Sequence, residues 1–174
     1  MKPLSNNKIT LRAIEPDDVD QLYLWENDSA VWKVSNTKTP VSKFILASYI
    51  KTADRDIWES KELRLVIETI DGKAIGTIEL FDFDPYHQRA GLGVMIFEED
   101  ERMKGFATEA IKLITDYALN EVGIYQLYAN VAESNQASVG LFTKLGFEIT
   151  GTKKNWLRNS TGWENEYLFQ KILT

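Results

Sequence analysis

The chain has 174 residues, 44% of them hydrophobic and 11% aromatic, with a formal net charge of −6. That suffices for one domain with a sizeable core, and the acidic balance argues against a general nucleic-acid binder; it suits solubility or the attraction of cations such as protonated amines. With no cysteine and one histidine, His87, disulfides and thiolate chemistry are excluded and a zinc site of the usual kinds is not expected. No apolar run is long enough to span a bilayer, and residues 1–10 carry no hydrophobic signal core, so a cytoplasmic protein is expected.

In chain order, residues 8–13 alternate polar and apolar, as a half-buried strand does. Pro16-Asp17-Asp18 supplies a helix start, because proline is tolerated in the first turn and acids suit the positive end of the dipole. Val19, Leu22, Tyr23 and Trp25 fit one face of that helix. A second helical pattern covers residues 41–52, with Phe44, Ile45, Ala47, Ser48 and Tyr49 at helical spacing. Residues 63–70 read as a strand, Asp71-Gly72 as a hairpin turn and residues 74–83 as the antiparallel return. Glu79 sits mid-strand and projects opposite to Ile78 and Leu80, either into a crevice or into solvent. Asp82 and Asp84 follow it; the three carboxylates either form an acidic mouth for a cationic amine or line a half-exposed strand. Pro85-Tyr86-His87-Gln88 breaks the strand, placing His87 in a turn with a structural or surface role, and residues 90–97 make the third strand of a meander.

The segment Arg102-Met103-Lys104-Gly105-Phe106-Ala107-Thr108 joins the run Val94-Met95-Ile96-Phe97 to a helical pattern over residues 109–122. A strand, a glycine turn and a helix N-terminus make an anion cradle, with exposed N–H groups and the helix dipole aimed at one spot. Gly105 and Ala107 lack bulk, so a phosphate can approach the backbone. The loop is not a P-loop, lacking Gly-Lys-Ser/Thr, and it has one glycine where a dinucleotide fingerprint needs three. Residues 126–131 then read as a strand, residues 135–145 as a helix with Gly146 as its left-handed cap, and residues 147–152 and 164–172 as the last two strands. The order β-α-α-β-β-β-α-β-α-β-β implies a right-handed crossover from residues 90–97 to residues 126–131 and a mixed sheet of about seven strands, mostly antiparallel, with helices on both faces. Where two parallel neighbours diverge, a ligand crevice opens at their carboxyl ends.

The element order and three motifs resemble the GNAT family of N-acetyltransferases over nearly the whole chain. The motifs are Arg102 to Ala107; Asn135-Gln136-Ala137-Ser138 followed by Lys144-Leu145-Gly146-Phe147; and Leu11-Arg12-Ala13 with Pro16-Asp17-Asp18. Gly76-Thr77-Ile78-Glu79-Leu80, His87-Gln88-Arg89-Ala90 and Thr115-Asp116-Tyr117-Ala118 look like the spermidine acetyltransferases, beside the RimJ/RimL-type enzymes acting on ribosomal protein N-termini.

The resemblance implies the α/β acyl-CoA N-acyltransferase fold in a single domain over residues 1–174, acetyl-CoA as cosubstrate and no metal. It implies direct attack in a ternary complex by a primary amine, either a polyamine-like small amine or a protein N-terminus, and it allows a homodimer. It assigns the pantetheine arm to the backbone of Met95 and Ile96, one of which would also supply an oxyanion N–H. The pyrophosphate falls to Arg102, Met103, Lys104, Gly105, Phe106, Ala107 and Thr108. Asn135, with Ser138, Phe142 and Lys144 on the same helix, falls to the far side of the cofactor, although Asn135 also reads as a plain N-cap for the Ser138 N–H. Glu79 is the candidate base, with Asp82, Asp84 and Glu26 on the acceptor side. Trp25, Trp32 and Trp58 either shape an acceptor pocket or pack. The chain departs from the family pattern at Phe142, where many members carry a tyrosine that protonates the leaving thiolate; Thr143, Ser138 or water is left to substitute. That departure also supports a second reading, a non-catalytic acyl-CoA-binding or sensing module; an interaction protein that has lost the cofactor is a third.

Overall fold

The computed structural model describes residues 4–35, 37, 39–52 and 55–174. Its strands are β1 (Ile9–Ala13), β2 (Leu63–Thr69), β3 (Ala74–Asp84), β4 (Arg89–Ile96), β5 (Gln126–Ala132), β6 (Glu148–Asn159) and β7 (Gly162–Ile172). Its helices are α1 (Val19–Glu26), α2 (Ser29–Val34), α3 (Lys43–Thr52), α4 (Ile57–Ser60), α5 (Phe106–Tyr117) and α6 (Gln136–Lys144). The strands form a single seven-stranded sheet in the order β1-β2-β3-β4-β5-β7-β6. Every neighbouring pair is antiparallel except β4 and β5, which run parallel around α5. Among the described residues no helix is long and apolar enough to cross a membrane.

Strand alternation sorts side chains onto two faces. Leu65 and Ile67 of β2 join a core with α4, α5 and α6, through Ile57, Ile111, Ile114 and Phe142. Val66, between them, joins a separate cluster with Leu22 and Trp25 of α1, Val31 of α2, and Leu46 and Ile50 of α3. Helices therefore cover both faces, as expected.

Several boundaries differ from the sequence reading, each for a local reason. Helices α2 and α4 were not expected; Asp28 caps the first, accepting from Ala30 N at 2.8 Å, and Asp56 the second, accepting from Glu59 N at 2.9 Å. Helix α3 buries Leu46 and Ile50, whereas Phe44 and Ile45, read as part of its apolar face, are 80% and 57% exposed. Helix α5 starts at Phe106 rather than Glu109, because Gly105 takes φ 87° and opens the helix at once. It continues through a π-turn (Ala118–Val122). β6 and β7 run on into a long hairpin, whose tip is tied by Asn159 Oδ1 accepting from Thr161 N at 3.0 Å.

Candidate active site

β4 and β5 pair only through Arg89↔Gln126, Ala90↔Leu127 and Gly91↔Tyr128. Beyond Gly91 the strands separate, while β5 stays paired to β7 as far as Ala132 and β4 stays paired to β3 as far as Ile96. A fork therefore opens toward their carboxyl ends, with one edge of β4 lacking a strand partner.

Main-chain alternation decides which groups face that fork. A Cβ on Gly76 would meet the Met95 carbonyl oxygen at 2.1 Å, and Phe97 N donates to Ile75 O at 3.0 Å, so the polar groups of Met95 and Phe97 turn toward β3. Those of Val94 and Ile96 turn to the fork. Of the two residues expected to hold the pantetheine arm, the geometry thus leaves Ile96 and takes away Met95.

Just past β4 the chain turns through residues 98–105. The Arg102 guanidinium is drawn back onto the strand end, with Nε donating to Ile96 O at 3.0 Å and a terminal nitrogen to Phe97 O at 3.2 Å. Lys104 pairs with Glu101 at 2.9 Å. Arg102 is thus a clasp holding the loop rather than a free charge. Met103 is 94% exposed at φ 61°. Gly105 offers α5 no side-chain cap, a Cβ there would meet nothing within 4 Å, and among the described residues none accepts from the first N–H groups, at Phe106, Ala107 and Thr108. The strand end, glycine turn and open helix start expected from the sequence are therefore present, a shape able to take an anion.

Across the fork Asn135 caps α6, accepting from Ser138 N at 3.1 Å. Phe142, about two turns on from Asn135, is 4% exposed; its ring packs against Phe147 and Phe169 at 5.1 and 5.8 Å between centroids. The structure gives Phe142 a packing role in place of the expected cofactor contact. Lys144 lies exposed in the last turn of α6, about 13 Å along the axis from Asn135, so it does not join the start of the helix at the fork.

The second face of the sheet carries the charged cluster. Glu79 sits between Ile78 and Leu80, both fully buried on the opposite face, and lies opposite Gly93 of β4 and Arg64 of β2. A Cβ on Gly93 would meet Glu79 Oε1 at 2.9 Å, so the carboxylate occupies the space that glycine leaves. Burial pushes the Glu79 carboxyl above the ordinary range, and the carboxylates of Glu26 and Glu62 add to this while Arg64 opposes it. Arg64 donates to Glu26 of α1 and to Thr77 Oγ1 at 3.4 Å. Tyr49 of α3 stands beside them, its phenol pushed up to about 12, chiefly by burial.

Glu26 and Glu79 thus come together, with Arg64, Thr77, Tyr49 and Glu62, none of which the sequence reading had named as site residues. Arg64 was within reach of it: a register centred on Asp71-Gly72 puts Arg64 across from Glu79. Asp82 is exposed at a bulge with φ 50°, about 10 Å along the strand from Glu79. Asp84 is taken up by its own turn, accepting from Tyr86 N at 3.1 Å and His87 N at 3.0 Å and pairing with Arg89 at 3.4 Å. Those backbone bonds hold its carboxyl below the ordinary range. The expected mouth of Glu79, Asp82 and Asp84 is therefore corrected to Glu79, Glu26 and Glu62. His87 is exposed in its turn, as read. Trp25 stacks on Phe97 at 4.7 Å and Trp58 packs edge-on to Phe83 at 6.2 Å. Trp32 donates to Glu26 O at 2.7 Å.

The chain matches the acetyltransferase (GNAT) domain family over residues 8–148. It is 31% identical over 147 residues to a spermidine N(1)-acetyltransferase of Escherichia coli K12, a match covering 84% of this chain and 76% of that one. It is 28% identical over 163 residues to an N-acetyltransferase of Bacillus subtilis, 92% of each chain. In structure it superposes with TM-score 0.87 and 23% identity on a spermidine N-acetyltransferase from Vibrio cholerae solved with CoA and spermine, over 97% of each chain.

Proposed function

From the premise that this chain belongs to the GNAT family and is an acetyl-CoA-dependent N-acetyltransferase, we propose that its acceptor is a small amine with more than one positive charge and that Glu79 takes the acceptor's proton. The observation that carries this is the half-buried cluster on the acceptor-side face, where Glu26 and Glu79 flank a single guanidinium, that of Arg64, and the exposed Glu62 adds a third carboxylate that acts on Glu79. Such a site holds net negative charge in a partly dehydrated space and attracts a polycation.

Acetyl-CoA supplies the acetyl group as a thioester. The residues present fit its shape: the uncapped start of α5 with Gly105 suits the pyrophosphate, the open edge of β4 suits the amide groups of the arm, and Asn135 closes the other side. An alkylammonium of pKa ~10.4 is almost wholly protonated at neutral pH. Glu79 accepts that proton: the N–H bond breaks, its electron pair stays on nitrogen, and an O–H bond forms on the carboxyl. A carboxyl held above its ordinary range is a better base for this than an exposed one. The N–H groups of Val94 and Ile96, facing the fork, are placed to donate to the carbonyl oxygen as negative charge develops there. Phe142 has no proton to give. A thiolate whose acid has a pKa near ~8.5 leaves tolerably without one.

The test is CoA release from acetyl-CoA against monoamines, diamines, triamines and N-terminal peptides. Selectivity rising with the number of separated charges supports the reading. Equal rates for monoamines and triamines, or a preference for peptides, overturns the acceptor assignment. Binding of acetyl-CoA with no turnover on any amine favours the sensing module, for which the lack of a tyrosine at Phe142 is the supporting feature.

A further inference from the structure

Arg64 and Glu79 are directly opposed on neighbouring antiparallel strands and project from the same face. Side chains so placed have Cβ atoms about 4.5–5.5 Å apart, and opposite charges there ordinarily pair. Here they do not. The guanidinium is bound to Glu26, brought from α1 38 residues earlier, and among the described residues its other hydrogen bond is to Thr77. Its Nε is buried with no hydrogen-bond partner, and no described residue donates a hydrogen bond to the Glu79 carboxylate. On the other flank Glu79 faces Gly93, which has no side chain.

We propose that Glu26 is a positioning residue for catalysis: by holding the Arg64 guanidinium to itself, it withholds that cation from Glu79 and leaves the Glu79 carboxylate free to take the acceptor's proton. This rests on the reading of Glu79 as the base. A carboxylate clamped by an arginine is stabilised in its charged form and takes up a proton reluctantly. The competition exists because one cation lies between two carboxylates from different layers of the fold, one on the sheet and one on the covering helix. The charged and titratable groups facing Glu79 are Glu26 from α1, Tyr49 from α3, Glu62 just before β2 and Arg64 from β2; β4 contributes none. Burial and the two carboxylates favour the protonated form of Glu79 while Arg64 opposes it.

The experiment is the pH profile of kcat/KM for the full chain with saturating acetyl-CoA and a diamine. Glu79→Gln is the control on the underlying reading: loss of the acid limb supports Glu79 as base, and an unchanged limb overturns that reading, and with it this inference. Given that control, Glu26→Gln is expected to move the acid limb to lower pH by about one unit, because the freed guanidinium turns to Glu79 and a neighbouring negative charge is gone. Arg64→Met is expected to move it the opposite way, and Arg64→Lys to lie between. A uniform fall in kcat/KM with the limb in place, the signature of a merely structural pair, overturns the inference. Should either single variant fold poorly, the double variant Glu26→Gln with Arg64→Met removes both members of the ion pair together. Its limb is expected close to that of the unmodified protein, and a limb displaced like that of Arg64→Met overturns the assigned role of Glu26.

Discussion

Glu79 and Gly93 share one space on neighbouring strands: the carboxylate fills the volume a Cβ would take, with Oε1 at 2.9 Å and Cγ at 3.1 Å from that position. Gly93→Ala therefore displaces the carboxylate. The clash is with a flexible side chain rather than with backbone, so the fold should tolerate it. We expect kcat/KM to fall by about 10- to 100-fold, since a misplacement near 1 Å has effects of that order, while acetyl-CoA affinity changes little. Steady-state kinetics and titration calorimetry check this; unchanged turnover would remove Glu79 from the chemistry.

Glu79→Gln separates activity from stability. A carboxyl raised above its unfolded value contributes stability that is present at pH below the unfolded value and is lost as pH rises through the folded one. At neutral pH the buried charge is thus a cost that the amide avoids. The variant should melt at the same or a higher temperature at pH 7, with the gap closing in acid, while turnover falls by about 10²-fold or more. A lower Tm at pH 7 would contradict the sign.

Gly105→Glu should abolish acetyl-CoA binding. Gly105 has φ 87° and stands where an anion would meet the first N–H groups of α5. A non-glycine residue there costs about 1–2 kcal/mol in strain, and a carboxylate adds repulsion of the pyrophosphate. Calorimetry should show affinity weakened more than about 100-fold, a loss of roughly 2.7 kcal/mol or more. Retained affinity would refute the loop assignment.

Phe142→Ala tests whether that ring packs or serves the cofactor. At 4% exposure between Phe147 and Phe169, its removal leaves a cavity costing about 3–5 kcal/mol. Denaturant unfolding should show that loss. A variant of normal stability with impaired acetyl-CoA binding would return Phe142 to the cofactor side.

The sequence carried what is local. The Asp71-Gly72 turn, the alternation that buries Ile78 and Leu80, the small residues of the loop at Gly105 and the cap at Asn135 each act within a few residues, and each is where it was read. Errors arose where packing overrode pattern. Phe44 and Ile45 had helical spacing but face solvent, because the sheet meets α3 along Leu46 and Ile50. Asp84 looked like a member of an acidic mouth, but its carboxyl closes its own turn.

By itself, then, the sequence determined the order of the seven strands, the fork between two parallel strands and the glycine-opened helix start beside it, because hydrophobic period, glycine conformation and helix ends are short-range physics. The tertiary structure alone decided which charges meet. Helix α1 packs over β2 and β3, and only that packing delivers Glu26 to Arg64 and leaves Glu79 beside a cation it does not hold. Contact between residues so distant in sequence depends on how layers dock, which no periodicity in the chain records.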